Sequence, residues 1–129
     1  MKLLDCLELY LQKYAKERPD RVAVVSKGEE YTFSTLWKYV LSYSKHLIDS
    51  GLKRGDVVIV KARQSFDYVV AYLSIHLAGG VVASLEKSCP VLAIESIAKQ
   101  LGATMIIDDD VENDQFIVLK YSDMMGIAK

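Results

Sequence analysis

The sequence predicts an α/β fold: a largely parallel sheet flanked by helices, with a short antiparallel hairpin near the N-terminus. Short β-prone runs alternate with amphipathic helical segments along the chain. The apolar run at residues 57–60 is continuous, which is typical of a strand covered on both faces. Runs at 22–25 and 30–33, separated by residues 27–29, indicate the hairpin. We therefore expect one α/β domain over residues 1–129.

Two helices are predicted in the first half. Pro19 ends the first, because proline inside a helix loses a hydrogen bond and clashes with the preceding turn. Thr32 or Ser34 can cap the second, and Gly51 closes it. The apolar positions of the first are Leu3, Leu7, Tyr10, Leu11 and Tyr14, and those of the second are Phe33, Leu36, Trp37, Val40, Tyr43, Leu47 and Ile48.

A third helix is predicted over residues 65–78. Ser65 can cap it, and Asp67 in its first turn meets the positive end of the helix dipole. The segment is apolar almost all round, so we expect it to be packed on several sides. Replacement of Leu73 by Ala should then cost about 2–5 kcal/mol.

The remaining elements continue the alternation. A strand at 81–83 precedes a helix that begins near Pro90 and ends at Gly102. Strands follow at 104–107 and 116–119, with an acidic turn between them. We expect the strands at 57–60, 81–83 and 104–107 to be neighbours or near-neighbours in one largely parallel sheet. The inward positions of the fourth helix are Ile94, Ile97, Ala98 and Leu101.

Composition excludes several classes of protein. The formal net charge is −1 with the two signs interspersed, so neither nucleic acid nor an anionic membrane surface is an expected partner. Cys6 and Cys89 lie far apart, so neither a disulfide framework nor a zinc site is indicated. Asp5 and Glu8 interrupt any secretory signal, and a cytoplasmic location is expected.

A membrane span is also not expected. Residues 68–85 contain no Asp, Glu, Lys or Arg, which is nearly the length that a spanning helix needs. Gly79 and Gly80 break the segment, so it is interpreted as a buried helix followed by a strand.

Four features of the sequence are candidates for a functional site. The turn at residues 51–56 holds two glycines and two cations but lacks the Ser/Thr and following helix of a phosphate loop, so a helix cap and turn is favoured. His76 has no second ligand at metal spacing, which favours a structural histidine. The run 108–110 is interpreted as a solvated turn. Lys61 and Arg63 follow a strand, where open α/β sheets bind ligands, yet a phosphate contact is the less favoured interpretation. No catalytic, cofactor-binding or metal residue is assigned.

Five segments stand in a recognisable order along the chain: Arg18-Pro19-Asp20-Arg21-Val22-Ala23, Tyr31-Thr32-Phe33-Ser34-Thr35-Leu36, Gly51 with Gly55-Asp56-Val57-Val58, Gln64 to Ile75, and Ala78-Gly79. In this order they resemble the opening of the AMP-binding, adenylate-forming superfamily, which includes acyl-CoA synthetases, luciferases and peptide-synthetase adenylation domains. The resemblance covers about residues 17–108. Ser84 and Lys87 stand where the family usually has two prolines.

The resemblance implies the N-terminal part of an acyl-CoA synthetase-type ligase. Such an enzyme joins a carboxylic acid to ATP with Mg²⁺, releases pyrophosphate and passes the acyl group to a thiol such as coenzyme A. The family's Ser/Thr/Gly-rich phosphate loop with its lysine does not occur in these 129 residues. The chain alone is therefore expected to be inactive, to bind no cofactor, to have the remaining domains of a parent enzyme as partners, and to self-associate through apolar surface.

Two other hypotheses remain. One is a free-standing, non-catalytic α/β interaction module, since fold does not determine function. The other is a flavodoxin-like receiver or nucleotide-binding domain. That one is disfavoured because the sequence has neither an acidic pocket after the first strand nor a GxGxxG turn.

Overall fold

A computed structural model of the protein describes residues 3–123, with side chains from residue 9 onward. This part of the chain contains the four helices and six strands named below, and residues 121–123 are also helical. The helices are α1 (Leu3–Glu17), α2 (Phe33–Asp49), α3 (Phe66–Leu77) and α4 (Val91–Leu101). The strands are β1 (Val22–Ser26), β2 (Glu29–Thr32), β3 (Val57–Lys61), β4 (Val81–Leu85), β5 (Met105–Ile107) and β6 (Ile117–Leu119).

The larger sheet is parallel and has the strand order β4-β3-β5-β6. Ile59 on β3 lies between Ala83 on β4 and Ile106 on β5. The expected fold class and the neighbouring positions of these three strands are thus confirmed.

Helices cover both faces of this sheet. On one face α2 and α3 bury side chains against Val58, Val60 and Met105. On the other, Ile94 and Ala98 of α4 pack against Ile59 and Ile106. The central strand β3 is therefore enclosed on both sides, which explains its continuous β-branched sequence.

The hairpin forms its own two-stranded sheet, β1 with β2. Lys27 and Gly28 connect the strands and both have positive φ, 52° and 80°. Two positive φ values in a two-residue loop are typical of a type I′ turn, whose twist suits a hairpin.

The helix ends agree with the sequence in most respects. Thr32 caps α2, its hydroxyl accepting from the Thr35 N–H at 3.2 Å. Gly102 ends α4 in the left-handed conformation, with φ of 65°. The predicted cap by Ser65 is wrong in its hydrogen bond, because the Ser65 hydroxyl donates to the Asp67 carboxylate instead of accepting from a backbone N–H.

Some predicted inward positions are exposed. Tyr10, Ile48 and Leu101 all lie about half exposed. Ile48 directly follows the buried Leu47. Because consecutive residues of a helix point in different directions, its side chain turns away from the core. Leu101 is the last residue of α4 and lies beyond the buried positions of that helix. Leu3 and Leu7 lie outside the described side chains.

Helix α3 packs against α1, α2 and strands of both sheets, which confirms the expectation that it is packed on several sides, and one of its sides is open. Val70, Ala71 and Ile75 are fully buried. The opposite side forms an open apolar groove of about 310 Å³, lined by Tyr68, Val69, Tyr72 and Leu73. Leu73 is only half-buried.

Within residues 3–123, no helix has the length and apolar character that crossing a bilayer would require.

Strands β5 and β6 are parallel, yet residues 108–116 join them without a helix. Because each strand has only three residues, this short connection is long enough to run from the carboxyl end of β5 to the amino end of β6. Val111 within it is fully buried on the α4 side. The connection brings the residues that follow β5 and β6 together at one edge of the sheet.

Candidate functional site

The carboxyl ends of β3 and β5 form the switch point of the sheet. From β3 the chain passes through α3 to β4 on one side, and then crosses through α4 to β5 on the other side of β3. Open α/β sheets bind ligands in the crevice that such a reversal creates. Lys61 is the last residue of β3 and Arg63 follows it, whereas Asp108 and Asp109 follow β5.

Asp108 is buried at this edge. The Lys61 ammonium lies 3.9 Å from its Oδ2, with side chains 16% and 6% exposed respectively. That separation makes an ion pair but exceeds a hydrogen bond, and Oδ2 has no hydrogen-bond partner within the described part of the chain. The Asp108 N–H donates to the Leu119 carbonyl, which holds the residue against β6. The prediction of a solvated acidic turn is therefore wrong for Asp108, whereas Asp110 is exposed as predicted.

Arg63 joins three parts of this edge. Its guanidinium lies 3.3 Å from the Asp67 carboxylate at the start of α3 and 3.5 Å from the Asp109 carboxylate after β5. It also lies over the Tyr121 ring, 4.6 Å from the centroid. Both the charge and the planar face of Arg63 are thus occupied by neighbours within the chain.

The segment after β6 closes the edge. The buried Tyr121 hydroxyl donates to the Lys61 carbonyl at 2.9 Å, and burial raises the pKa of this phenol. Lys120 donates to the Asp109 carbonyl at 3.0 Å, and the Ser122 N–H donates to the Asp109 carboxylate at 3.1 Å. No local pattern in the sequence marks Tyr121, since its partners precede it by many residues.

The cluster is balanced in charge. The cations Lys61, Arg63 and Lys120 meet carboxylates or carbonyl oxygens of the same chain. Such a set holds loops in place and leaves little net positive field for a phosphate. Beside it, an open groove of about 450 Å³ runs between the loops after β3 and β4, lined by Ala62, Arg63, Gln64, Glu86 and Lys87.

The glycine turn, residues 51–56, lies at the amino ends of the strands, opposite the cluster described above. Gly51 follows the C-cap residue Ser50 of α2 and has φ of 116°. The Lys53 N–H donates to the Asp56 carboxylate at 2.9 Å, and the Gly55 N–H donates to the Gly79 carbonyl at 2.8 Å. Because these N–H groups are used within the protein, the turn is a structural connection and not a phosphate cradle.

His76 and Cys89 stand apart from this cluster. His76 is half-buried against Tyr72, with ring centroids 4.8 Å apart, and burial lowers its pKa. Neither ring nitrogen has a hydrogen-bond partner among the described residues. Cys89 is a free thiol, and the Cys6 side chain lies outside the described ones.

The described residues do not fit ATP with Mg²⁺. Across residues 3–123 no group of three or more His, Cys, Asp or Glu side chains could hold a metal ion. Asp108 and Asp109, the acids that follow β5 at the switch point, are engaged by Lys61 and Arg63.

Comparison with known proteins gives consistent results. Vanchrobactin synthetase VabF of Vibrio anguillarum is 27% identical over 111 residues, which cover 85% of this chain and 4% of that protein. A medium/long-chain fatty-acid CoA ligase of Mycolicibacterium smegmatis is 34% identical over 67 residues, covering 52% of this chain and 12% of the ligase. Across eight of its curated relatives, the chain spans between 1% and 12% of the relative's length.

Solved structures share the fold. The N-terminal subdomain of NpsA from Klebsiella oxytoca superposes with a TM-score of 0.82 at 22% identity, covering 98% of this chain and 33% of that one. The peptide synthetase FmoA3 gives 0.84 at 22% identity, with 95% and 14% covered. A family model described as AMP-binding enzyme matches residues 11–123. The chain therefore belongs to the AMP-binding enzyme family of adenylate-forming ligases.

Proposed function

We propose that this chain is the N-terminal subdomain of a larger adenylate-forming ligase. That enzyme joins a carboxylic acid to ATP, releases pyrophosphate and transfers the acyl group from the adenylate to a thiol. The observation that carries the proposal is the family match over residues 11–123, together with the small share of each relative that the chain spans.

Within such an enzyme the chain contributes a scaffold. ATP with Mg²⁺ supplies the adenylyl group, and residues elsewhere in the parent hold both, since the described residues here do not fit them. The ion pairs of Lys61 and Arg63 fix the carboxyl edge of the sheet. A fixed edge gives the neighbouring domains a rigid surface, which precise catalytic geometry requires.

The proposal has two forms, which differ in the thiol that accepts the acyl group: a thiol bound to a carrier domain, or coenzyme A. Peptide synthetases recur among the relatives, and one structural neighbour is an artificially fused adenylation–PCP di-domain. These relatives favour a carrier-bound thiol as acceptor. The CoA ligase of Mycolicibacterium smegmatis favours coenzyme A and the acyl-CoA synthetase type. We propose a carrier-bound thiol first and coenzyme A second, in a cytoplasmic enzyme.

Thioester formation with radiolabelled carboxylic acids tests the acceptor. The enzyme made from the complete natural reading frame is incubated with ATP, Mg²⁺ and either coenzyme A or its own carrier domain bearing phosphopantetheine. The proposal predicts label on the carrier domain. Label only on coenzyme A would establish the second form, and label on neither, without any adenylate formation, would favour the non-catalytic module.

A further inference from the structure

Strand β4 forms an edge of the four-stranded sheet. Within residues 3–123 no strand pairs with its outer side, and its five residues pair with β3 in unbroken register. Natural edge strands are commonly protected by lysine, proline or a β-bulge. The sequence Val81-Val82-Ala83-Ser84-Leu85 has none of these features. This edge is therefore open to pairing with another strand.

The backbone of β4 shows which peptide groups face outward. The Val81 N–H donates to the Asp56 carbonyl at 2.8 Å, and the Leu85 carbonyl accepts from the Ala62 N–H at 2.7 Å. Both of these groups face β3. Because peptide groups alternate in direction along a strand, the N–H and C=O groups of Val82 and Ser84 face the open edge. The two outward residues are placed symmetrically about Ala83.

The surface beside this edge is apolar and uncharged. The Tyr68 and Ser84 hydroxyls are hydrogen-bonded at 2.7 Å, so the open side of α3 adjoins β4. Tyr72 lies one turn along the same side, and Val81, on the α4 face of the strand, is 50% exposed. Residues 68–85 contain no Asp, Glu, Lys or Arg, so two copies of this surface would meet without charge repulsion.

We propose that β4 pairs antiparallel with β4 of a second copy of this chain, about a two-fold axis at Ala83. In that register Val82 lies opposite Ser84 of the second copy, and the reverse pair forms by symmetry. Each pair exchanges two backbone hydrogen bonds, so one register satisfies every outward N–H and C=O of the edge. An isologous contact of this kind closes after two copies.

The resulting dimer has a continuous eight-stranded sheet, in which both copies of α3 lie on the same face. The open sides of the two α3 helices flank the two-fold axis and cover one another. The inference is independent of the proposed ligase function, because it depends only on the backbone of β4 and the side chains around it.

A disulfide at the two-fold axis tests the register. In a Cys6→Ser, Cys89→Ser background, Ala83→Cys places two thiols at a non-hydrogen-bonded pair. The Cα atoms of such a pair are about 4.5 Å apart, a separation that disulfide geometry accepts. Leu92→Cys, on α4 and 83% exposed, is the control for random collision. We expect mild oxidation of a dilute sample to give mainly cross-linked dimer with Ala83→Cys and little with Leu92→Cys. Equal, low cross-linking in both would overturn the register.

Sedimentation equilibrium tests the dimer without introduced thiols. The 129-residue chain should dimerise, and Ser84→Lys should weaken the dimer at least tenfold by placing a charge beside the axis. Leu92→Lys should leave the affinity unchanged, and far-UV circular dichroism shows whether each variant is folded. A strictly monomeric wild-type chain at high concentration would overturn the proposal.

Discussion

The Tyr121 hydroxyl donates a 2.9 Å hydrogen bond to the carbonyl oxygen of Lys61, the last residue of β3. This bond connects the segment after β6 to the central strand. The Arg63 guanidinium lies over the same ring, so Tyr121 contributes both a polar and an aromatic contact. The buried tyrosine thereby holds the carboxyl edge of the sheet closed.

Tyr121→Phe should lower the free energy of unfolding by about 1 kcal/mol, because it removes a hydrogen bond and leaves a carbonyl without its partner. Tyr43→Phe is the matched control. The Tyr43 hydroxyl is buried but has no hydrogen-bond partner among the described residues. Its removal should therefore leave the free energy of unfolding unchanged or raise it by about 1 kcal/mol. Urea unfolding measures both variants, and equal losses would contradict the assigned role of the Tyr121 hydroxyl.

Lys61→Met should destabilise the protein by about 2 kcal/mol, since it leaves the buried Asp108 carboxylate without its cation. Adding Asp108→Asn should recover part of that loss. A double-mutant cycle by chemical denaturation should give a coupling energy of about 0.5–3 kcal/mol. Simple additivity of the two substitutions would show that the pair contributes no specific interaction.

Ile75→Ala should cost about 2–5 kcal/mol, because the side chain is fully buried between α3 and the sheet. Leu73 lies half-buried on the open side of the same helix. Its replacement by Ala should cost only about 1 kcal/mol, less than its sequence context predicts. Thermal or urea unfolding of the two variants tests this. A larger loss of stability for Leu73→Ala than for Ile75→Ala would contradict the finding that the Ile75 side of α3 faces the core.

The stability of the protein should fall as the pH falls through 6.5, the ordinary pKa of histidine. Burial lowers the pKa of His76, so between the two pKa values the unfolded chain binds a proton that the folded chain does not. The stabilisation is therefore complete above pH 6.5 and is lost below it.

Melting temperatures between pH 5.5 and 7.5 measure this effect. His76→Gln should reduce the acid-side loss. His46→Gln removes the other of the two histidines and should leave the contribution of His76 in place. An unchanged pH profile in His76→Gln would contradict the account of its burial.

The sheet could be predicted because each strand is indicated by residues within it or directly before it in the sequence. The β-branched run of β3 and the glycines before β3 and β4 indicate a buried parallel strand order without knowledge of distant residues. The parallel pairing of β6 was not anticipated in detail, because residues 108–116 show no helical period.

The carboxyl-edge cluster was predictable only in part. Lys61 and Arg63 were placed correctly at a strand end, but the burial of Asp108 depends on its backbone bond to Leu119. The contact of Tyr121 with Lys61 depends on the same closure. Such pairings join residues far apart in the chain, and no local period records them.

The central claim is tested most directly by ATP–pyrophosphate exchange with the intact natural gene product, purified from its source and assayed with a panel of carboxylic acids and Mg²⁺. The account predicts a product longer than 129 residues that catalyses acid-dependent exchange. The 129-residue chain alone should stay at background, since losing even one charge-stabilising donor commonly costs about 10²–10³ in rate. A natural product of 129 residues without exchange, or exchange by the 129-residue chain itself, would contradict the account.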